Sequence, residues 1–136
     1  MTERGSAFPC RWPARLQDER GAIGSVQAVV VLPLVMLFFM GAVEAALFYY
    51  GRAAAISIAH TGAVAAATEH GTVSACESAA AELAARIGDA LSGLQISCQR
   101  TATTATATVT GDVLSVVPGW RATVTQSADV PVERLT

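Results

Sequence analysis

From Gly21 to Tyr50 the chain reads GAIGSVQAVVVLPLVMLFFMGAVEAALFYY, and Glu44 is the only charged side chain between Gly21 and Gly51. A soluble core helix needs a polar face, and Ala28 to Val43 offers none. An apolar run longer than about 18 residues can cross the roughly 30 Å hydrocarbon core of a bilayer as a helix. In lipid only a helix or a closed barrel satisfies its own backbone. Residues 22–50 are therefore expected to form a transmembrane helix. Pro33 removes one helical hydrogen bond and crowds the preceding turn, so a kink is expected there.

The flanking charges orient this span. Arg4, Arg11, Arg15 and Arg20 precede it, whereas only Arg52 follows closely. An arginine excess holds its side of a span in the cytoplasm. The expectation is a cytoplasmic leader over 1–21, a single pass through the cell membrane, and an extracytoplasmic C-terminal part. A cleavable secretory signal is the rival, but its apolar region runs about 7–15 residues. The present run is longer and its helical pattern continues past it, which favours an uncleaved anchor or one trimmed on the cytoplasmic side.

Beyond the run, 51–70 remains rich in helix formers without proline and reads as an extracytoplasmic continuation of the helix. Ala55, Ala59, Ala63 and Ala67 recur every four residues, with Gly62 and Ala66 alongside, and Gly41, Ala45 and Ala46 begin a similar strip earlier. Small residues at this spacing let helix backbones approach closely, which admits a helix-mediated oligomer; an alanine-rich composition alone would give part of the pattern. Gly71 is the expected C-terminal cap. Ser74-Ala75-Cys76-Glu77 fits a capping box for a second helix, with Ala80, Leu83, Ala84, Ile87 and Leu91 as its apolar face and Gly93 as its end.

From Leu94 the period changes to two, as in a half-buried strand. Thr101–Thr110 (TATTATATVT) alternates Thr with Ala and Val, which suits a strand and not a helix. Gly111-Asp112 reads as a turn. Trp120–Ala128 reads as a further strand, with Trp120, Ala122, Val124 and Gln126 on one side, and Pro131 is tolerated at a sheet edge. The expected class is α+β: a long N-terminal transmembrane helix continuing outside, then an amphipathic helix and a small antiparallel sheet over 71–136.

Residues that carry chemistry are sparse. The two histidines, His60 and His70, lie in no metal-binding motif. No nucleophile–base pattern, phosphate loop or close carboxylate pair is present. No catalytic residue, cofactor or metal is expected. The net charge of −2, without a basic cluster, gives no sign of nucleic acid as a partner. Cys10 falls on the cytoplasmic side as a free thiol. Cys76 and Cys98 both fall outside, where disulfides persist, so a disulfide between them is expected; the alternative is two buried thiols. An intramembrane charge is a functional candidate by default, so Glu44 is a candidate assembly contact. The alternative is an interfacial carboxylate near the aromatic belt of Phe48, Tyr49 and Tyr50.

Asp18-Glu19-Arg20-Gly21, Val26-Gln27-Ala28, Val31-Leu32-Pro33, Gly41-Ala42-Val43-Glu44 and Phe48-Tyr49-Tyr50 stand in an order and spacing that resemble TadE-like proteins. These are the pilin-like proteins of tight-adherence (Flp-type) pilus systems. Val117-Pro118-Gly119-Trp120 and Val130-Pro131-Val132-Glu133-Arg134 resemble the actinobacterial type. The resemblance spans Asp18 to Thr136. It implies a single-pass pseudopilin that takes part in pilus assembly, with a structural rather than catalytic role. The implied partners are the membrane, other pseudopilins, the Flp pilin and the inner-membrane platform. It also implies removal of the leader by a prepilin peptidase, here between Gly21 and Ala22. The family's glutamate five residues after the cut is replaced here by Gln27, six after Gly21 and three after Gly24, and Gln27 becomes a second candidate intramembrane contact. A membrane-anchored extracytoplasmic binding module unrelated to pili is the alternative.

Overall fold

A computed structural model describes residues 18–133, with side-chain surroundings from Val26 onward. Arg4, Arg11 and Arg15, the thiol of Cys10, and Arg134 lie outside the described residues. The element order is helix α1 (Asp18–Ala67), helix α2 (Val73–Ile87) and strands β1 (Leu91–Arg100), β2 (Thr104–Val113) and β3 (Ala122–Pro131). The class is α+β: a long apolar helix, a second helix and a three-stranded antiparallel sheet in the order β1-β2-β3.

The chain divides into two units, Met1–Phe39 and Met40–Thr136. In the first, the described residues are helical, and every side chain from Val26 to Phe39 is exposed, Phe38 to 81%. The helical assignment runs through Pro33. Val26–Ala67 contains a stretch long and apolar enough to cross a membrane.

In the second unit α1 becomes one-sided. Gly51, Ala54, Ala55, Ile58, Ala59, Gly62, Ala63, Ala66 and Ala67 are buried, while Arg52, Ile56, His60 and Val64 are exposed. Steps of three and four residues place the buried set on one stripe of a 3.6-residue helix. That stripe meets the inward face of β2. Ala55, Ile58 and Ala59 pack with Val109, Val113, Val124 and Ala80. Ala63, Ala66 and Ala67 pack with Ala105, Ala107 and Cys76. The alternation of Thr with Ala and Val in β2 explains the choice of face: Ala105, Ala107, Val109, Gly111 and Val113 are buried, and the threonines between them point away. On that outer face Thr106 donates to Asp129 (2.6 Å), Thr110 and Thr125 share a hydrogen bond (3.1 Å), and Thr123 donates to Asp112. Cross-strand pairs of this kind pin the register.

Helix α2 starts earlier than the capping-box pattern suggests. Its N-cap is Thr72, whose hydroxyl accepts the Ala75 N–H (3.1 Å) and shares a hydrogen bond with Ser74. It also ends earlier, at Gly88, whose N–H donates to the Ala84 carbonyl (3.2 Å) at φ 76. Leu91 and Gly93 therefore belong to β1, where the register shifts between Ser92 and Gln95. The expected turn at Gly111-Asp112 is likewise strand. Gly111 sits there because a Cβ would stand 3.3 Å from the Leu91 Cβ. Strand β2 runs on to Val113 and the chain turns after it, over 114–121, while the β1–β2 hairpin turns at Thr101, whose hydroxyl accepts the Thr104 N–H (3.0 Å). Strand β3 is a sheet edge that closes with Pro131 paired to Thr104, and Ala122, Val124 and Gln126 do face one side. Trp120 precedes the strand and is exposed.

The small residues thus serve contacts inside the chain from Gly51 onward. At Gly62 a Cβ would lie 3.1 Å from the Cys76 Sγ and 3.2 Å from the Ala80 Cβ, so α1 and α2 touch there nearly backbone to side chain. Gly62→Ala needs a shift of a few tenths of an ångström and gains about 1 kcal/mol of helix propensity, so near-neutral stability is expected. Gly62→Leu has no space and should cost about 1–3 kcal/mol through overpacking. Thermal unfolding of the full chain in detergent micelles checks both; equal melting temperatures for the two variants would contradict the packing described.

Candidate functional site

The connection between β2 and β3, residues 114–121, reaches back to α1. The Glu44 carboxylate accepts the Val116 N–H at 3.0 Å. Two local features bring the loop there. Val113, the last residue of β2, lies against Gly51, where a Cβ would meet the Val113 Cγ2 at 2.6 Å. The loop then tightens on itself: the Ser115 hydroxyl accepts the Val117 N–H (3.0 Å), and the Trp120 N–H donates to the Val117 carbonyl (3.2 Å). Gly119 takes φ 84, a conformation that side chains with a Cβ rarely adopt. Glu44 is half-buried and thus spends one carboxylate oxygen on a neighbouring backbone instead of on Arg52. The loop also carries exposed apolar groups, Leu114, Val116, Val117 and Trp120. Its contact with Glu44 links positions 72 residues apart, and no local pattern points to it.

The remaining candidate residues sit as follows. Gly21 and Ala22 are in the backbone of α1. Gln27 is exposed on α1 within the first unit, and Glu44 belongs to the second. Cys76 of α2 and Cys98 of β1 are joined by a disulfide, with their Cα atoms 6.3 Å apart. His60 and His70 are exposed. Among the described residues, no three His, Cys, Asp or Glu side chains gather as a metal site would require. Asp112 and Asp129 serve as acceptors for threonine hydroxyls, and Glu82 pairs with Arg86 on the exposed side of α2.

The comparison with known families falls on this helix. Residues 23–64 match the model of the family described as TadE-like protein. That segment is TadE-like. It is the family that the quoted motifs resemble, and the match takes in Gln27, Glu44, Gly51 and the stripe as far as Ala63. It stops short of α2, the sheet and the 114–121 loop, and it begins after Gly21 and Ala22. No curated protein and no solved structure matches the chain significantly.

Within the TadE-like segment, Glu44 has the best-defined contact. Glu44→Ala removes the acceptor of the Val116 N–H, and the loop loses its tie to α1. A hydrogen bond to a charged group is worth about 1.5–3 kcal/mol, so exchange of the Val116 amide should quicken by about tenfold or more. Glu44→Gln keeps a side-chain carbonyl there and should restore most of the protection. Hydrogen–deuterium exchange on the full chain in micelles reads both.

Proposed function

We propose that this chain is a single-pass, pseudopilin-like protein that takes part in the assembly of tight-adherence (Flp-type) pili, in a structural rather than catalytic role. The observation that carries the reading is the TadE-like match over residues 23–64, which covers both the apolar run and most of the small-residue stripe. The arginine excess before the run supports a cytoplasmic N-terminus and an extracytoplasmic domain. A disulfide between Cys76 and Cys98 suits that side of the membrane. The resemblance to actinobacterial-type members rests on Val117–Trp120 and Val130–Arg134, beyond the matched segment.

The role follows from what the parts offer. A helix with apolar side chains exposed all round, from Val26 to Phe39, is suited to lipid and to neighbouring helices of the same kind. The second unit supplies a disulfide-bonded domain with a hydrogen-bonded threonine face. Capture of the tagged full-length protein from its own membranes should recover other pseudopilins, the Flp pilin or the inner-membrane platform. Recovery of none of them under conditions that preserve pilus complexes would refute the reading.

Processing is a separable part of the proposal. A prepilin peptidase cut between Gly21 and Ala22 would leave the new ammonium about 7.5 Å along the helix from Gln27, at 1.5 Å per residue. With Gln27 in place of the family's glutamate, the attraction is ion–dipole and weaker than ionic, so Gln27→Glu is expected to be tolerated or to improve assembly. Terminal sequencing of the membrane-extracted protein should give Ala22 as the first residue; an intact Met1 or Thr2 would establish an uncleaved anchor.

A further inference from the structure

We infer that the 114–121 loop is a second membrane contact: it lies in the interface of the leaflet on the domain's side, with Trp120 at headgroup level. The inference rests on the reading of the apolar run as a membrane span, and it adds a lipid-facing element outside that run.

Three observations carry it. The first is depth. The run read as the membrane span, residues 22–50, contains Glu44 in its C-terminal part, followed by Phe48, Tyr49 and Tyr50. The second is the contact made at that depth. Glu44 accepts the Val116 N–H at 3.0 Å, so the loop is fastened to the run at its outer boundary, about 10 Å short of Gly51 at 1.5 Å per residue. Lipid cannot replace the domain further along, because Gly51 is already covered by Val113. The third is composition. Leu114 is exposed to 50% and Trp120 to 60%, beside Val116 and Val117, and Tyr49 of α1 is exposed to 67%. Tryptophan and tyrosine favour the membrane–water boundary, where an apolar ring meets a polar edge. Arg121, also exposed, follows Trp120 and suits a lipid phosphate.

A lipid surface is favoured over a protein partner by continuity. The same Glu44 belongs to the apolar run and holds the loop, so a bilayer that accommodates the run up to Tyr50 also meets the loop. The carboxylate is suited to that boundary, since one of its oxygens is satisfied by backbone while the interface can hydrate the other.

The test uses the full-length Trp12→Phe variant, which leaves Trp120 as the sole tryptophan. It is reconstituted in vesicles of phosphatidylethanolamine and phosphatidylglycerol whose acyl chains carry bromine near the headgroup or near the methyl end. Trp120 emission should be quenched by the shallow label and spared by the deep one. A parallel chain carrying Trp12→Phe, Trp120→Phe and Phe38→Trp reports on the span itself and should be quenched by the deep label. If Phe38→Trp is quenched while Trp120 is untouched by either label, the loop proposal falls and the span stands. If neither tryptophan is quenched, the span reading fails and the loop proposal fails with it. Trp120 emission that ignores bromine but shifts to the blue with protein concentration would assign the loop to a protein partner and overturn the lipid assignment.

Discussion

The fold of the second unit depends on how closely α1 can approach the sheet. Nothing on its buried stripe is larger than Ile58, and opposite it β2 offers Ala105, Ala107 and Gly111. Ile58, Val109, Val113 and Val124 supply the larger apolar groups of this core, and each buried alanine methyl around them contributes on the order of 1 kcal/mol. Many close contacts between small groups add to these. Such a core is unforgiving of bulk. Gly51, Gly62 and Gly71 each stand where a Cβ would press on a neighbour, at 2.6 Å for Val113, 3.1 Å for Cys76 and 2.4 Å for the Ala66 carbonyl.

A core this thin gains from covalent and polar fastening. The Cys76–Cys98 disulfide closes a separation of 22 residues between α2 and β1, which on the chain-entropy account is worth about 3 kcal/mol. The end of α1 is fastened as well. Gly71 N–H donates to the Thr68 carbonyl, Glu133 N–H to that of Ala67, and the Arg100 guanidinium to those of Thr68 and Glu69. Carbonyls that a helix terminus leaves without partners are thereby used to bind β1 and the exit of β3 to α1. A small domain with few large apolar residues is held at its edges as much as at its centre.

The sequence made the architecture legible wherever a periodicity was long. The uncharged run, the change to period two after Leu94 and the four-residue recurrence of alanine all correspond to elements of the structure. What it did not disclose was the partner of that recurrence: small residues signal close approach but do not say to what, and here the stripe meets a sheet and α2 of the same chain. Boundaries slipped where two residues competed for one job. Thr72 and Ser74 both can cap α2, and Gly88 and Gly93 both can end it; in the structure Thr72 takes the Ala75 N–H and Gly88 donates to the Ala84 carbonyl. Gly111-Asp112 reads as a turn by composition, yet glycine there answers the crowding at Leu91. The Glu44–Val116 contact was invisible, because one partner is a backbone N–H that carries no residue-specific signal.

That contact gives the two properties of α1 a common explanation. A helix apolar on all sides has no preferred face for a domain, whereas a helix with a small-residue stripe has one. The change from one to the other falls between Glu44 and Gly51, over about two turns of helix. In the membrane span proposed above, a charge placed earlier would sit in hydrocarbon without a water-accessible partner, at a cost of several kcal/mol. Placed later on the buried stripe, it would fall among glycines and alanines, where among the described residues no polar side chain is buried. Position 44 is within reach of the loop that leaves β2 as Val113 covers Gly51, and there the carboxylate meets a free backbone donor. Glu44 therefore marks where the lipid-suited part of α1 gives way to the domain-suited part, and the hydrogen bond it accepts is the first tie between the helix and the loops of the sheet.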